Sequence, residues 1–395
     1  MTAHESPSST QPSAAVPGQG GCPFRNAANI YEFGPAKAAL QHDAAWQAGF
    51  FAESVRKDGV IKQLPVLYGH GPSQREMRRD TARFFTPTAV DQWTPRIDEL
   101  VQGLIESARR PAGVLVDELS LKLAGAVVGD VVGVNMTNPK TLARIILAAD
   151  QRADSEPLLI RSQRNRAKEL LSFARLFPAW LLDINPLYKA SKAHLAAGGE
   201  VRHLVDQLVA KDYSVIEALT EILTYASAGV LTTREFIALS FWKIWEDQAL
   251  RARFVTSSLK ERETILRELL RLNPVVSMLY RRIDADAELD GCPVAKGELI
   301  RIDVEAANRD PKIWPTHRHE VDLSRELPSG VKPEGLAFGA GPHQCPGGPL
   351  AIREAAVLLH ELFSHSGLEV LSGPVWQRNE GIKGYEVRQL RIRIS

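Results

Sequence analysis

From about Asn26 onward, the chain alternates helical stretches with short, punctuated connectors. Apolar residues recurring every three or four positions predict helices over 74–85, 89–107, 116–132, 139–153, 161–176, 190–209, 214–247, 258–272 and 350–365. Two of these starts carry capping boxes, Ser214 with Glu217 and Ser258 with Glu261, in which hydroxyl and carboxyl satisfy orphan amides of the first turn. Short apolar or alternating runs predict strands over 61–67, 287–289, 299–304 and 389–394. The stretch 273–348 is broken by Gly and Pro and has little periodicity. The sum is a mainly α chain with small β-sheets and no internal repeat. Residues 1–25, polar and rich in Ser, Pro and Gly, read as a disordered tail. No Gly/Ser linker divides the remainder of the chain, so 26–395 is expected to be a single domain.

One predicted helix stands apart. At about 1.5 Å per residue, 214–247 would run ~50 Å. It is apolar on most faces, through Ile222, Leu223, Val230, Leu231, Phe236 and Phe241 among others, so it must cross the middle of the fold. Its centre holds Ala226-Ser227-Ala228-Gly229 and then Thr232-Thr233. Small residues let something bulky lie against the backbone, and a hydroxyl can bond an i−4 carbonyl and bend the helix. From this segment alone, a ligand surface and a packing notch for another helix are equally good readings.

Composition narrows the function by exclusion. A formal net charge of +1 gives no global field for nucleic acid or an anionic membrane. No apolar run reaches the ~20 residues of a membrane span, and the start lacks the apolar core of a signal peptide. The expectation is a cytoplasmic protein, monomeric, with no membrane anchor and no nucleic-acid partner. Three distant cysteines, Cys22, Cys292 and Cys345, make neither a disulfide framework nor a zinc knuckle. Any one of them, taken alone, is more often a small buried hydrophobe than a ligand.

Cys345 has a context that the others lack. Phe338-Gly339-Ala340-Gly341-Pro342-His343-Gln344-Cys345-Pro346-Gly347 leads into a helix starting near Pro349-Leu350. A cysteine just before a helix N-terminus sits where the dipole and free amides favour a thiolate. With no second Cys or His at zinc spacing, a four-ligand protein site does not fit. A metal that brings four equatorial ligands needs only one from the protein, which points to heme.

These residues resemble the heme-binding loop of cytochromes P450, F-x-x-G-x-(R/H)-x-C-x-G, matched by Phe338, Gly341, His343, Cys345 and Gly347. With Gly at 28 of 395 residues, two glycines at set places arise by chance about once in 200, before Phe and Cys are added. Leu350, Ala351 and Glu354 continue the likeness. Glu268 and Arg271 resemble the family's E-x-x-R pair, with Arg325 as the later arginine that joins them. The stretch 306–311 resembles the family's segment after its C-terminal sheet, and 228–233 its oxygen-binding A-G-x-(D/E)-T-T. The resemblance runs from about Tyr31 to the end.

It implies a single-domain P450 fold with heme b between the long central helix and the cysteine loop. Cys345 would be the axial iron ligand, Ala228 and Gly229 the opposite wall, and Thr232 the catalytic alcohol. Arg78, Arg281 and His343 would meet the propionates, with Arg282 as the alternative to Arg281. The implied reaction is monooxygenation of an apolar small molecule by O2, with two electrons from a ferredoxin or flavodoxin and its reductase. Walls for that substrate are expected from 60–70 and from 161–186, where Phe177-Pro178-Ala179-Trp180-Leu181-Leu182 is strongly apolar. Basic residues there (Arg161, Arg164, Arg166, Lys168) read as a solvated helix face before an acid-steering one.

Three departures qualify the likeness. Gln74 stands where the family has the histidine of H-x-x-x-R, and as a neutral donor it gives a propionate ~1 rather than ~2–3 kcal/mol. Leu231 replaces the acid that, with the alcohol, delivers protons for O–O cleavage. That leaves a peroxide-using or isomerase-like heme-thiolate enzyme as the alternative, and a non-catalytic heme binder behind it. Lastly, the first helix and part of the N-terminal sheet are expected to be shortened.

Overall fold

A computed structural model of the chain describes residues 29–50, 52–57, 62–149, 176–379 and 383–395. The tail expected over 1–25, Cys22, and most of the helix expected over 161–176 with its basic residues lie outside the described residues.

The fold is mainly helical with small, separate sheets. Its axis is one continuous helix, Val215–Glu246, 32 residues long. Both predicted capping boxes form, at Ser214 and Ser258. By composition the central helix could cross a membrane, but Ile222, Leu223, Ala226, Val230, Ile237 and Phe241 are fully buried in the protein core. Its neighbours are Val116–Val132, which starts and ends as predicted, and Gly348–Ser364.

The expected 139–153 is helical over its described part, Pro139–Ala149. One helix prediction changes. The expected 190–209 is two helices, Asn185–Ala196 and Leu204–Ala210. Gly198 takes a left-handed φ of 82°, and His203 then caps the second helix by accepting from the Asp206 amide. The apolar period crosses this break because both helices cover the same core.

The predicted strand over 61–67 is irregular where it is described. Its amides bond to carboxylates of the central helix instead of to a partner strand. Lys62 and Gln63 donate to Glu217 Oε1 at 3.1 and 2.8 Å, and Val66 donates to Glu221 Oε2 at 3.0 Å. The predicted strands 287–289, 299–304 and 389–394 do form, as Ala287–Leu289, Leu299–Asp303 and Arg391–Ile394.

At the front of the chain, the described part includes a nine-residue helix, Phe33–Gln41, and two strands, Asn29–Ile30 and Ala45–Ala48. These strands flank Leu299–Asp303 and Met278–Ile283 in a four-stranded sheet, over a second core of Ile30, Phe33, Leu40, Ile283, Ile302 and Trp314.

The two parts are tied by one charged network. Arg271 is fully buried and donates to both oxygens of Glu268, at 2.8 and 2.7 Å. Its remaining hydrogens go to the carbonyls of Asn308, Arg318 and Glu320. Arg325 joins at 3.1 Å from Glu268 Oε1. Asn308 carries the link onward, since its side-chain oxygen takes the Leu336 amide at 2.7 Å, two residues before Phe338. Glu268→Ala would leave Arg271 buried without its counter-charge and is expected to cost ~3–5 kcal/mol. Urea unfolding measures this, and an unmoved midpoint would show that the pair is dispensable.

Candidate functional site

The cysteine loop closes on itself through a hydrogen bond from the Cys345 amide to the Phe338 carbonyl, 2.8 Å. Gly341, at φ 69°, lets the loop lie on the first helix, because a Cβ there would sit 2.5 Å from the Leu40 carbonyl oxygen. Phe338 packs its ring on Gly348, where a Cβ would come within 3.0 Å. Gly347 is the cap of the helix Gly348–Ser364. The amides of Gly347 and Gly348 donate to Cys345. Yet burial pushes the thiol up, and those amides with Arg78 only oppose that shift. The helix-start amides thus favour the thiolate, as the sequence suggested, but burial outweighs them. A metal ion at the sulfur would reverse the balance, since a coordinating thiol is deprotonated outright. Cys345 is exposed and lines two cavities.

Those cavities adjoin, at ≈ 250 and ≈ 190 Å³. Cys345, His343 and Gly347 line both from one side, and Ala228, Gly229 and Thr233 from the other. Thr232, Arg281 and Phe338 line the larger, and Arg78 the smaller. Gln74 and Gly341 line neither. The amide of Gln74, expected to face the cofactor, is given to the Pro342 carbonyl at 2.9 Å, so Gln74 braces the loop instead.

The opposite wall is a π-helical turn, Ser227–Leu231, within the central helix. Thr232 Oγ1 donates to the Ala228 carbonyl across it, which is the i−4 bond that the sequence suggested. Both readings of the small-residue stretch are realised. A Cβ on Gly229 would meet Val128 Cγ2 at 2.8 Å, so the glycine is a packing notch, while its backbone also borders the cavities. Leu231 adds an apolar patch to the larger cavity.

Charge is unbalanced at one end of the site. Arg281 is buried, with Nη1 held by Gln47 Oε1 and the Tyr280 carbonyl, both at 2.8 Å. Its Nε has no partner among the described residues. Burial, then repulsion from Arg56, lowers it to about 10. Arg282 instead donates to the Gly297 carbonyl and lines neither cavity. Both ring nitrogens of His343 are buried without a partner. Burial, then Arg281, His70, Arg56 and Arg78, pushes His343 down to about 2, so it is neutral. No carboxylate pairs with Arg78 or Arg281 among the described residues.

Buried polar groups without partners are rare, and guanidinium groups without counter-ions are suited to carboxylates. A slot between small residues and a lone sulfur, with free cations at its edge, fits a flat apolar ring bearing carboxylates. Heme b has that shape and charge.

Several lining residues escaped the sequence reading. Leu67 and Tyr68 come from the expected 60–70 stretch, but Phe85, Val128 and Tyr225 carried no chemical signal. Glu354 lines the smaller cavity, and one of its oxygens has no partner. Its signal was an acid on the apolar face of a helix. Of the other expected wall, 161–175 lies outside the described residues, and Phe177, Leu181 and Leu182 are 57, 44 and 58% exposed and line neither cavity.

The family model for cytochrome P450 matches residues 258–383, which include Glu268, Arg281 and Cys345. Cytochrome P450(BM-1) of Priestia megaterium is 27% identical over 351 residues, 86% of this chain and 82% of that protein. Cytochrome P450 119 of Sulfolobus acidocaldarius is 24% identical over 357 residues, 86% of each. Among solved structures, P450BioI in complex with an acyl carrier protein ligated to hexadec-9Z-enoic acid is similar at TM-score 0.76 and 20% identity. That match covers 93% of this chain and 92% of the other.

The geometry carries two expectations. Gly229→Ala should lose ~1–3 kcal/mol by overpacking, and Val128→Ala in the same chain should recover part of it. Equal melting of wild type and Gly229→Ala would refute the notch. Glu354 is raised by burial from an ordinary 4.5 to about 8. The folded state thus holds this proton more tightly than the unfolded state, so stability is full below about pH 4.5 and falls as pH rises to about 8. Glu354→Gln should remove this slope, worth a few kcal/mol, in urea unfolding at pH 5.5 and 8. Parallel pH dependence in both proteins would show that the acid is not held neutral.

Proposed function

The chain belongs to the cytochrome P450 family of heme b monooxygenases, and we propose that Cys345 is its axial iron ligand. We further propose that it oxidises an apolar small molecule with O2 and two electrons from a separate ferredoxin or flavodoxin. The observation that carries this is the placement of Cys345, which lines both cavities together with Ala228 and Gly229 of the small-residue turn of the central helix.

When bound, the heme supplies a redox-active iron whose thiolate ligand favours O–O cleavage. The protein's own part is divided among a few residues. The Gly347 and Gly348 amides and Arg78 stabilise negative charge at the sulfur. Arg78, Arg281 and His343 would hold the propionates. Leu231, Phe236, Val275, Val276 and Leu279 make an apolar wall that excludes water and suits a substrate of like character. Thr232, whose hydrogen goes to the Ala228 carbonyl, keeps its oxygen lone pairs free to accept from a water. Leu231 can neither give nor pass a proton, so the proton reaches the site through that water or from a group on the substrate.

Peroxide use without a reductase is the second reading, and Leu231 is the residue that favours it. Turnover with a ferredoxin system against turnover with hydrogen peroxide separates the two. In either case we propose that the protein acts in the cytoplasm as a monomer.

Cys345→Ala should abolish the thiolate-type Soret band of the reduced, CO-bound protein, while Cys292→Ala should keep it. A thiolate band in the Cys345 variant would end the assignment. Leu231→Asp should increase product formed per NAD(P)H by up to ~10-fold if the missing acid limits proton delivery. A fall in coupling in folded, heme-loaded Leu231→Asp would place the proton source on the substrate.

A further inference from the structure

One wall of the cavities beside Cys345 has no sheet behind it. Val66 lines the smaller cavity, Tyr68 the larger and Leu67 both. Among the described residues their segment, 62–69, belongs to no strand. It makes a single turn, in which the Tyr68 and Gly69 amides donate to the Pro65 carbonyl at 2.8 and 2.9 Å. On one flank Arg56 Nε donates to the Tyr68 carbonyl at 2.9 Å. On the other, the amides of Lys62 and Gln63 go to Glu217 and that of Val66 goes to Glu221. Two acidic side chains of the central helix thus do what a neighbouring strand would do for a sheet.

Helix capping explains only part of this. Glu217 Oε2 closes the capping box, accepting from the Ser214 amide and hydroxyl, both at 2.8 Å. That leaves Oε1 to the Lys62 and Gln63 amides. Glu221 serves no cap, because it lies inside the helix Val215–Ala226, and it is fully buried. A carboxylate there is costly unless it is hydrogen-bonded, and the Val66 amide at 3.0 Å is a donor that it meets. Glu217, Glu221, Thr224 and Ala228 recur at helical spacing and so share one face of the central helix. Thr224 and Ala228 line both cavities. The acids and the cavity lining therefore form one stripe, and fixing the wall to the first part of it sets the distance from the second.

We propose that Glu217 and Glu221 are positioning residues for this wall, and that through it they make the cavity select ligands large enough to reach Leu67 and Tyr68. A wall held in place beforehand costs a ligand nothing to order, whereas a loosened one is ordered only on binding. That cost falls on ligands that touch the wall and spares those that do not. The proposal deepens the reading above and rests on it, since the ligand is the apolar substrate of a heme enzyme.

Two ligands of different reach test it without reference to turnover. Imidazole and 4-phenylimidazole bind iron through the same kind of ring nitrogen, but only the second carries an apolar group that can meet the wall. Their dissociation constants for the heme-loaded protein are read from the Soret shift. Glu221→Ala and Glu217→Ala should weaken 4-phenylimidazole about 10-fold, the scale of one hydrogen bond to a charged group, and move imidazole less than about twofold. Glu221→Gln keeps an acceptor for the Val66 amide and should recover most of the loss. In a Leu67→Ala background, where the wall contact is already gone, Glu221→Ala should add little. If Glu221→Ala fails to take up heme, Glu217→Ala decides, since its partners Lys62 and Gln63 lie at the exposed end of the segment. An unchanged or reversed preference between the two ligands, in variants that show the thiolate CO band, would mark a merely structural role and overturn the proposal. So would a loss that is undiminished in the Leu67→Ala background. A wild type without that band would overturn the heme reading and this proposal together.

Discussion

The Gly347 and Gly348 amides reach the Cys345 sulfur because residues 338–347 fold back on themselves, and much of the molecule holds that fold-back in place. The Cys345 amide bonds the Phe338 carbonyl, and Phe338 rests on Gly348 at the start of the next helix. Gly341 presses on the Leu40 carbonyl of the first helix, and Gln74 braces Pro342 from a third direction. Asn308 ties Leu336 to Arg271, and Arg271 to Glu268, so the charged network anchors the loop from behind. A loop alone would leave a buried thiol protonated. Fixed amides and a fixed guanidinium make the position serviceable to a metal.

The site is polarised along its length. One end gathers Arg56, Arg78 and Arg281 around a neutral His343, with donors to spare. The other side holds a neutral acid, Glu354, and the apolar faces of Val128 and Val131. A ligand that lies flat with its carboxylates at one edge and hydrocarbon at the other matches both. The central helix completes the slot with the π-helical turn Ser227–Leu231, while Gly229 admits Val128 behind it. The same short turn therefore serves packing and ligand at once.

Much of this was legible in the chain. The loop from Phe338 to Gly347, the E-x-x-R pair and the small residues of the central helix are local patterns, each set by what a turn, a helix face or a close approach allows. Helix 116–132 was readable to its ends, because its apolar positions repeat without interruption. The errors share a cause. The stretch 61–67 reads as a strand, but its amides go to Glu217 and Glu221, residues far along the chain. Phe177, Leu181 and Leu182 read as a pocket wall and face outward. Gln74 reads as a cofactor donor and braces a loop. In each case the residue type was right for several partners, and only proximity chose among them.

The amino-acid sequence by itself determined most of the helices, the caps at Ser214 and Ser258 and the cysteine turn, because these depend on periodicity and on residues a few positions apart. Only the tertiary structure decided which of Arg281 and Arg282 turns inward, that Glu354 is held neutral, and that His70 stacks on His343. Those outcomes depend on desolvation and on charges brought together from distant segments. Neither quantity exists until the chain has folded.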